Sequence, residues 1–388
     1  MTDAVVVTGL GTVHPVGLGH EVLWAELCRS ADAPVREHID DFDPTPWFGR
    51  NEARRLDPYV LFGVAAAHLA VADAGDPDLD PLRTGVVMGN LYGAGTAIAQ
   101  QQAVMEAEGR GAVSATLCSV SCEDAAASQI SIRLGLRGPS RLLVMSCASG
   151  TAAVGEAAAL IATGRCDAVV AGATLGPVPD VIKASYENVR VRSRSGWERP
   201  FDVRRDGFEF CEGAAVVLLE RRSHAEARGA RIRAVVDGWA TSNDAFHLSK
   251  PSGDGLELAM RWAIEHAGRT PDEIAHVNAH ATGTGTGDVV EAEAIRRVFG
   301  DRSLPVTSVK GVTGHSLAAA GAFETAIVAL SFEHALLPPT AVELELDPAV
   351  GLDVVSGSPR PWTPGPTLKS SFGLGGQNAA IVLSPPTA

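Results

Sequence analysis

Short apolar runs separated by longer stretches of helical spacing recur along the chain. Val5-Val6-Val7 leads into Thr8-Gly9-Leu10-Gly11. Gly85 to Gly89, Arg141 to Met145 and Cys166 to Gly172 follow, and each predicts a strand. Between them, residues 20–30 place Leu23, Trp24 and Leu27 at helical spacing. Tyr59 to Ala74 is a run of small apolar residues that predicts a buried helix, and Ala125 to Leu136 is helical. Residues 31–58, rich in Pro, Asp and Arg, predict a surface segment. Residues 91–122 have poor periodicity and predict irregular structure, and 176–213 is loop-rich. From Arg231 the alternation starts again. Strands are expected at 231–238, 274–279, 305–309 and 380–383, with helices at 255–267, 288–299 and 316–335. Strands separated by helices need crossover connections, so the pattern predicts an α/β fold around a largely parallel sheet covered on both faces. No Gly/Ser-rich or Pro-rich linker divides the two rounds. Two similar halves, 1–230 and 231–388, sharing one core fit better than two separate beads.

Composition narrows the function. The chain has 388 residues, 46% hydrophobic and 20% charged, enough to bury a substantial core. A net charge of -14 argues against nucleic acid as the main partner, because phosphate binding needs a basic face. No apolar run reaches the roughly 18 residues of a membrane span. Met1-Thr2-Asp3 leads straight into the first strand, leaving no room for a signal peptide, and a cytoplasmic protein is expected. None of the six cysteines (Cys28, Cys118, Cys122, Cys147, Cys166 and Cys211) sits in a CxxC pair. Cys118 and Cys122 lack a second pair of zinc-like ligands and are expected as packing residues.

Chemistry gathers at three strand ends. Leu142-Leu143-Val144-Met145 stops at Ser146-Cys147, and the small-residue run Ala152 to Ala162 predicts a helix just beyond. Strand, sharp turn and helix form a nucleophile elbow, which exposes the side chain and aims backbone N–H groups at it. A thiol there is expected to ionise more readily than a free cysteine. In the second half, Ile274 to Asn278 runs into Ala279-His280 and a Thr/Gly-rich turn, and Val306 to Val309 runs into Lys310 and His315. Open α/β sheets place ligand sites at such ends. His276 and His280 do not form a metal pair, because positions four apart on a strand are about 13 Å apart. Gly9-Leu10-Gly11 lacks the third glycine of a dinucleotide fingerprint, and no GxxxxGK[ST] phosphate loop is present.

Taken together and in this order, the motifs resemble those of β-ketoacyl-acyl-carrier-protein synthases of the thiolase superfamily, of the elongating, free-standing type II kind. The similarity covers nearly the whole chain. It rests on Val5 to Gly11, Ser146 to Thr151, Arg199 to Asp202 with Arg205 to Phe208 and Glu212-Gly213, Asn278 to Thr284, Lys310 to His315, and Phe372 to Asn378. The resemblance implies a layered αβαβα core of two pseudo-repeated βαβ halves. It implies that Cys147 carries the acyl chain as a thioester and that His280 and His315 promote decarboxylation of a malonyl unit. Lys310 would tune the electrostatics, held by Glu324. The backbone N–H groups of Cys147 and Leu374 would form the oxyanion hole, and Thr282 and Thr284 would bind pantetheine. Phe201, Phe208 and Cys211 would belong to the loop flanking the pocket. Substrates would arrive on the phosphopantetheine of an acyl carrier protein, with no resident cofactor and no metal. Arg54 and Arg55 are the first candidates for docking that acidic partner, and Arg204 and Arg205 the second. The family forms dimers, which implies a homodimer or a heterodimer with a ketosynthase-like subunit.

The chain departs from the family pattern at Leu374 (usually Phe), Gln377 (Thr), Ala281 (Gly), Gly285 (Pro) and Cys211 (Gly). These changes point toward specialised metabolism, fatty-acid-like or polyketide. Two other roles remain open on the same scaffold. One is an acyltransferase that passes the chain on without decarboxylation, and the other is the active subunit of a ketosynthase heterodimer.

Overall fold

The strand β1 (Val5–His14) is buried along its whole length and lies at the centre of a twelve-stranded sheet. The computed structural model describes residues 3–29 and 33–386, so the first two residues of the expected 31–58 surface segment, and the last of 20–30, lie outside the described residues. The remaining strands on the main path are β2 (Thr84–Gly89), β3 (Ser140–Leu143), β4 (Ala168–Leu175), β5 (Gly213–Arg221), β6 (Ala234–Asn243), β7 (His276–Asn278), β8 (Pro305–Thr307), β9 (Asp353–Val354), β10 (Thr367–Gly373) and β11 (Gln377–Ser384). Their order across the sheet is β9-β8-β7-β10-β11-β6-β1-β5-β4-β2-β3. Read outward from the centre and with the two-residue edge strand β9 set aside, β1-β5-β4-β2-β3 and β6-β11-β10-β7-β8 are the same arrangement, first strand, fifth, fourth, second, third. The two arrays meet where β1 pairs antiparallel with β6, Val5 opposite Val236 and Val7 opposite Ala234.

The sheet is mixed, which corrects the largely parallel expectation. In each array the inner pairs are antiparallel (β1 with β5, β5 with β4; β6 with β11, β11 with β10). The outer pairs are parallel (β4 with β2, β2 with β3; β10 with β7, β7 with β8). Strands β1, β2, β4, β5 and β11, drawn from both kinds of pair, are buried along nearly their whole length and read as continuous apolar runs, so the sequence pattern cannot separate the two kinds.

Five helices matter for the site: α1 (Pro58–Asp73), α2 (Ser149–Ala162), α3 (Asp254–His266), α4 (Gly287–Phe299) and α5 (Ala320–His334). Helices α2 and α5 are apolar nearly all round, as helices buried on every side must be, and they pack against each other and against strands of both arrays. Residues 95–108 form a helix rather than the irregular structure expected for 91–122. It has no buried residue, and a helix without a buried face leaves no periodic signature. No helix among the described residues is long and apolar enough to cross a membrane.

The glycines that suggested a failed dinucleotide motif have a packing role. A Cβ at Gly9 would overlap the Ala70 carbonyl, and one at Gly11 the Ala66 carbonyl. Both carbonyls belong to α1, so these glycines let the helix lie directly on β1. Pro58 begins α1, and the Asp57 carboxylate caps it by accepting the Tyr59 N–H at 3.3 Å. Gly11→Ala is therefore expected to force helix and strand apart and to destabilise the chain by about 2–4 kcal/mol. Chemical denaturation would read this as a lower midpoint at an unchanged slope, whereas an unchanged midpoint would contradict the packing account.

Candidate active site

Cys147 follows β3 and precedes α2. The turn is held at both ends. Ser146 adopts a left-handed backbone (φ 49°), uncommon for a residue with a side chain, and its hydroxyl donates to the Leu374 carbonyl at 3.0 Å. The Ser149 hydroxyl donates to the Ser146 carbonyl at 2.6 Å and accepts the Met145 N–H at 2.8 Å. Across the turn, a Cβ at Gly373 would lie 2.8 Å from the Cys147 backbone nitrogen. The close approach of Leu374's segment to Cys147 thus depends on glycine.

The thiol is buried, 8% exposed, which corrects the expectation of an exposed side chain. Burial pushes its pKa up to about 12, and Lys310 pulls against that shift without overcoming it. The expected easy ionisation does not hold in this closed site. The helix N-terminus stabilises an anion, but the loss of water costs more.

Two imidazoles face the sulfur. His315 Nε2 lies 3.2 Å from Cys147 Sγ, and the His280 and His315 rings are 5.2 Å apart, edge to face. Burial first, then the charge of Lys310, holds both pKa values well below the ordinary histidine range. Each ring is therefore neutral and acts as an N–H donor. The His315 backbone is pinned by its N–H to the Glu209 carbonyl (2.8 Å) and by its own carbonyl accepting from Cys211 (3.3 Å). Its ring packs against Phe208, with centroids 5.0 Å apart.

Lys310 opens a short helix after β8 and is 1% exposed. Its ammonium donates to the His280 carbonyl and to Oε1 of the equally buried Glu324 on α5. The residues expected from the two histidine motifs and the cysteine elbow therefore converge, drawn from both strand arrays.

Other expectations meet different outcomes. Thr282 is buried beside Thr284, their hydroxyls 3.4 Å apart, and Thr284 is half-buried. Phe208 lies in the same apolar cluster as Cys147, whereas Phe201 is fully buried in the separate core formed by α3 and α4. Phe201 is thus an anchor of its loop and no part of the Cys147 cluster. Cys211 sits behind His315, with Sγ 3.3 Å from His14 Nε2. Cys118 and Cys122 are exposed, which corrects their reading as packing residues. Arg205 is 6% exposed and bound to Asp347 (2.7 Å) and the Asp202 carbonyl (2.9 Å), and Arg204 is paired with Asp202 (2.7 Å). Both arginines brace the loop, Arg205 with a nearly buried side chain and Arg204 with an exposed one. Arg54 and Arg55 are exposed beside a surface cleft of about 410 Å³ and make no ion pair among the described residues.

Three supporting residues escaped sequence reasoning. Glu291 on α4 accepts the backbone N–H groups of His280 (2.8 Å) and Ala281 (2.6 Å), and Asp288 accepts those of Thr282 (3.1 Å) and Phe201 (2.8 Å). Two acids three apart near the start of a helix just after a Gly/Thr run are the available signal. The third is Lys369 on β10, fully buried against Glu324 (2.7 Å). The sulfur and imidazole nitrogens of Cys147, His280 and His315 lie within 4.8 Å of one another, a possible S/N/N ligand set. The Nδ1 atoms of both histidines lack the outer hydrogen bond typical of metal-bound imidazoles, and two lysines against one carboxylate leave the surroundings positive. The set does not fit a cation.

Comparison with known proteins agrees with this geometry. The model of the Beta-ketoacyl synthase N-terminal domain matches residues 30–225, and that of the Beta-ketoacyl synthase C-terminal domain matches residues 233–342. The chain is 36% identical to 3-oxoacyl-[acyl-carrier-protein] synthase 2 of Rhizobium meliloti (strain 1021), covering 98% of each. It is also 36% identical to the tetracenomycin polyketide synthase ketoacyl synthase alpha subunit of Streptomyces glaucescens, covering 98% of this chain and 97% of that one. Among solved structures, the ishigamide ketosynthase/chain length factor superposes with a TM-score of 0.93 at 29% identity, over 99% of this chain and 100% of that one. With elbow, imidazole pair and buried lysine in one site, and relatives matched from end to end, this chain belongs to the β-ketoacyl synthase family.

Proposed function

We propose that the chain is a β-ketoacyl-acyl-carrier-protein synthase that extends an acyl chain by two carbons at Cys147. The observation that carries this reading is the contact of Cys147 Sγ with His315 Nε2 at 3.2 Å, beside a second neutral histidine and a buried Lys310–Glu324 pair. In the first step the Cys147 sulfur attacks the thioester carbonyl of an acyl carrier protein. The bond from that carbonyl to the pantetheine sulfur breaks, and the thiol proton ends on the departing pantetheine sulfur. The oxyanion formed on the way is received by the backbone N–H groups of Cys147 and Leu374. Malonyl carrier protein then enters. Its carboxylate leaves as CO2, the bonding pair passes into an enolate, and His280 and His315 donate hydrogen bonds to the enolate oxygen. The enolate carbon attacks the Cys147 thioester, a carbon–carbon bond forms, and Cys147 leaves as a thiolate that takes a proton from water. Thr282 and Thr284 hold the pantetheine arm.

No resident cofactor is needed, since both acyl groups arrive on phosphopantetheine. The halves 1–230 and 231–388 supply the nucleophile and the two histidines respectively, and the repeated strand order supports that division. A cytoplasmic setting fits six cysteines that are all unpaired. One relative is named an alpha subunit and one neighbour a ketosynthase/chain length factor, which supports pairing with a ketosynthase-like subunit over a solitary chain. Native mass spectrometry of the chain alone and with such a subunit decides between homodimer and heterodimer.

The reading is tested by intact mass after incubation with acyl carrier proteins of different chain length, followed by malonyl carrier protein. A gain of one acyl group, then its loss with release of CO2 and a longer product, supports it. Acylation followed by transfer to an amine or alcohol, without CO2, overturns it. Docking is tested separately. Arg54→Glu with Arg55→Glu is expected to raise KM for acyl carrier protein about tenfold while acylation by a small acyl thioester is unchanged, because exposed charges steer association. An unchanged KM removes these arginines from the docking surface.

A further inference from the structure

Among the described residues, Lys369 is a buried ionisable group for which the reaction above has no use, and it shares a carboxylate with Lys310 of the site. It lies on β10 four residues before Gly373, fully buried, with its ammonium 2.7 Å from Glu324 Oε2 and 2.8 Å from the Thr151 hydroxyl on α2. A further contact reaches Ser371 on its own strand. Lys310 occupies the other oxygen of the same carboxylate. One glutamate thus bridges two lysines, and the triad carries one net positive charge beneath Cys147, His280 and His315. A buried ammonium is costly unless something uses it, and an ordinary core would place an apolar side chain here.

We propose that Lys369 is a positioning residue of the acylation and decarboxylation site. By anchoring the second oxygen of Glu324 it fixes the carboxylate that holds Lys310, and it gives the site a second positive charge for the anions formed there. The inference rests on the ketosynthase reading for the identity of those anions, the Cys147 thiolate and the enolate.

The surroundings make this charge sensitive to pH. From α5 the facing group is Glu324, from the helix after β8 it is Lys310, and from α4 it is Glu291. Helix α2 offers the neutral Thr151 hydroxyl, and β7 offers His276, held neutral by burial. On α3, Glu257 is engaged by Arg261 and Arg297, and β11 carries no titratable group. Burial lowers Lys369 to about 8, partly opposed by Glu324 and reinforced by Lys310. The charge is present below that pH and lost above it, and with it one source of stabilisation for the Cys147 thiolate.

The test is Lys369→Met, which keeps the length of the side chain and removes its charge. Cys147 reactivity is read as the rate of alkylation by iodoacetamide from pH 6 to pH 10, and decarboxylation as CO2 released from malonyl carrier protein. Below about pH 7 the wild-type protein is expected to exceed the variant about tenfold in both, for a lost charge at close range in a dry site. The ratio is expected to fall toward one above about pH 9, where the wild-type lysine is itself neutral. A purely structural role gives a ratio independent of pH and overturns the inference, as does a ratio of one throughout. If the variant does not fold, the wild-type protein still decides the matter. Its alkylation rate must rise less steeply with pH beyond 8 than below it, and a uniform slope overturns the inference. Alkylation uses no carrier protein, so it remains informative even if the ketosynthase reading fails, which the CO2 measurement reports separately.

Discussion

Cys147→Ala is expected to abolish acyl-enzyme formation, leaving the intact mass of the chain unchanged after incubation with any acyl carrier protein. Transfer should fall by at least about 10³-fold, the usual consequence of removing a covalent nucleophile. Nothing nearby can substitute. Cys211, another buried thiol, faces His14 behind the His315 segment, and burial raises it well above the ordinary thiol range. The exposed Cys118 and Cys122 lie outside the site and are the internal control. A mass gain that survives in Cys147→Ala, and disappears only when Cys118 and Cys122 are also changed, would mark adventitious surface acylation. A gain that survives all three substitutions would remove Cys147 as the acyl carrier. The wild-type elbow should stay intact in the variant, because Ser146, Ser149 and Gly373 hold the turn through contacts that do not involve the sulfur.

The parts of this site readable from the sequence are those in which a residue type and its place after a strand both carry information. Cys147, His280 and His315 are polar side chains at the ends of apolar runs, and a strand end is where a polar side chain can reach a cleft without breaking a ladder. Lys310 and Glu324 needed the family resemblance, because a lysine opening a short helix and a glutamate within an apolar helix carry no local signal of their pairing. Lys369 escaped entirely. It reads as a polar interruption in a strand, and only the fold brings it against Glu324. Exposure was misjudged for a related reason. An elbow does expose its residue to the space before it, but Phe208 and His315 crowd that space here, and the thiol pays in desolvation what it gains from the helix. Strand direction was the other loss, since burial on both faces erases the alternation that distinguishes antiparallel pairs.

His315→Ala is expected to separate the two half-reactions. Release of CO2 from malonyl carrier protein should fall by about 10²–10³-fold, the range observed when one preorganised donor to a developing oxyanion is removed. Acylation of Cys147 should fall by about tenfold or less. The reason lies in the charge state of the ring. Burial and Lys310 keep His315 neutral, so it is a poor proton acceptor for a thiol whose own pKa is pushed up to about 12, and acylation does not rely on the ring as a base. In acylation the proton can pass from Cys147 to the pantetheine sulfur, and the negative charge on oxygen is met by backbone N–H groups that the substitution leaves in place. Decarboxylation has no such alternative in this reading, because the electrons released with CO2 must settle on an oxygen for which His280 and His315 are the proposed donors. His280→Ala should behave in the same way, since its backbone is held by Glu291 and its ring is free to serve that oxygen alone. Mass spectrometry of the acyl-enzyme and CO2 release, measured on the same preparations, check both variants. If His315→Ala instead loses acylation and keeps decarboxylation, the ring is the base that activates the thiol, and the assignment of donor to His315 is wrong.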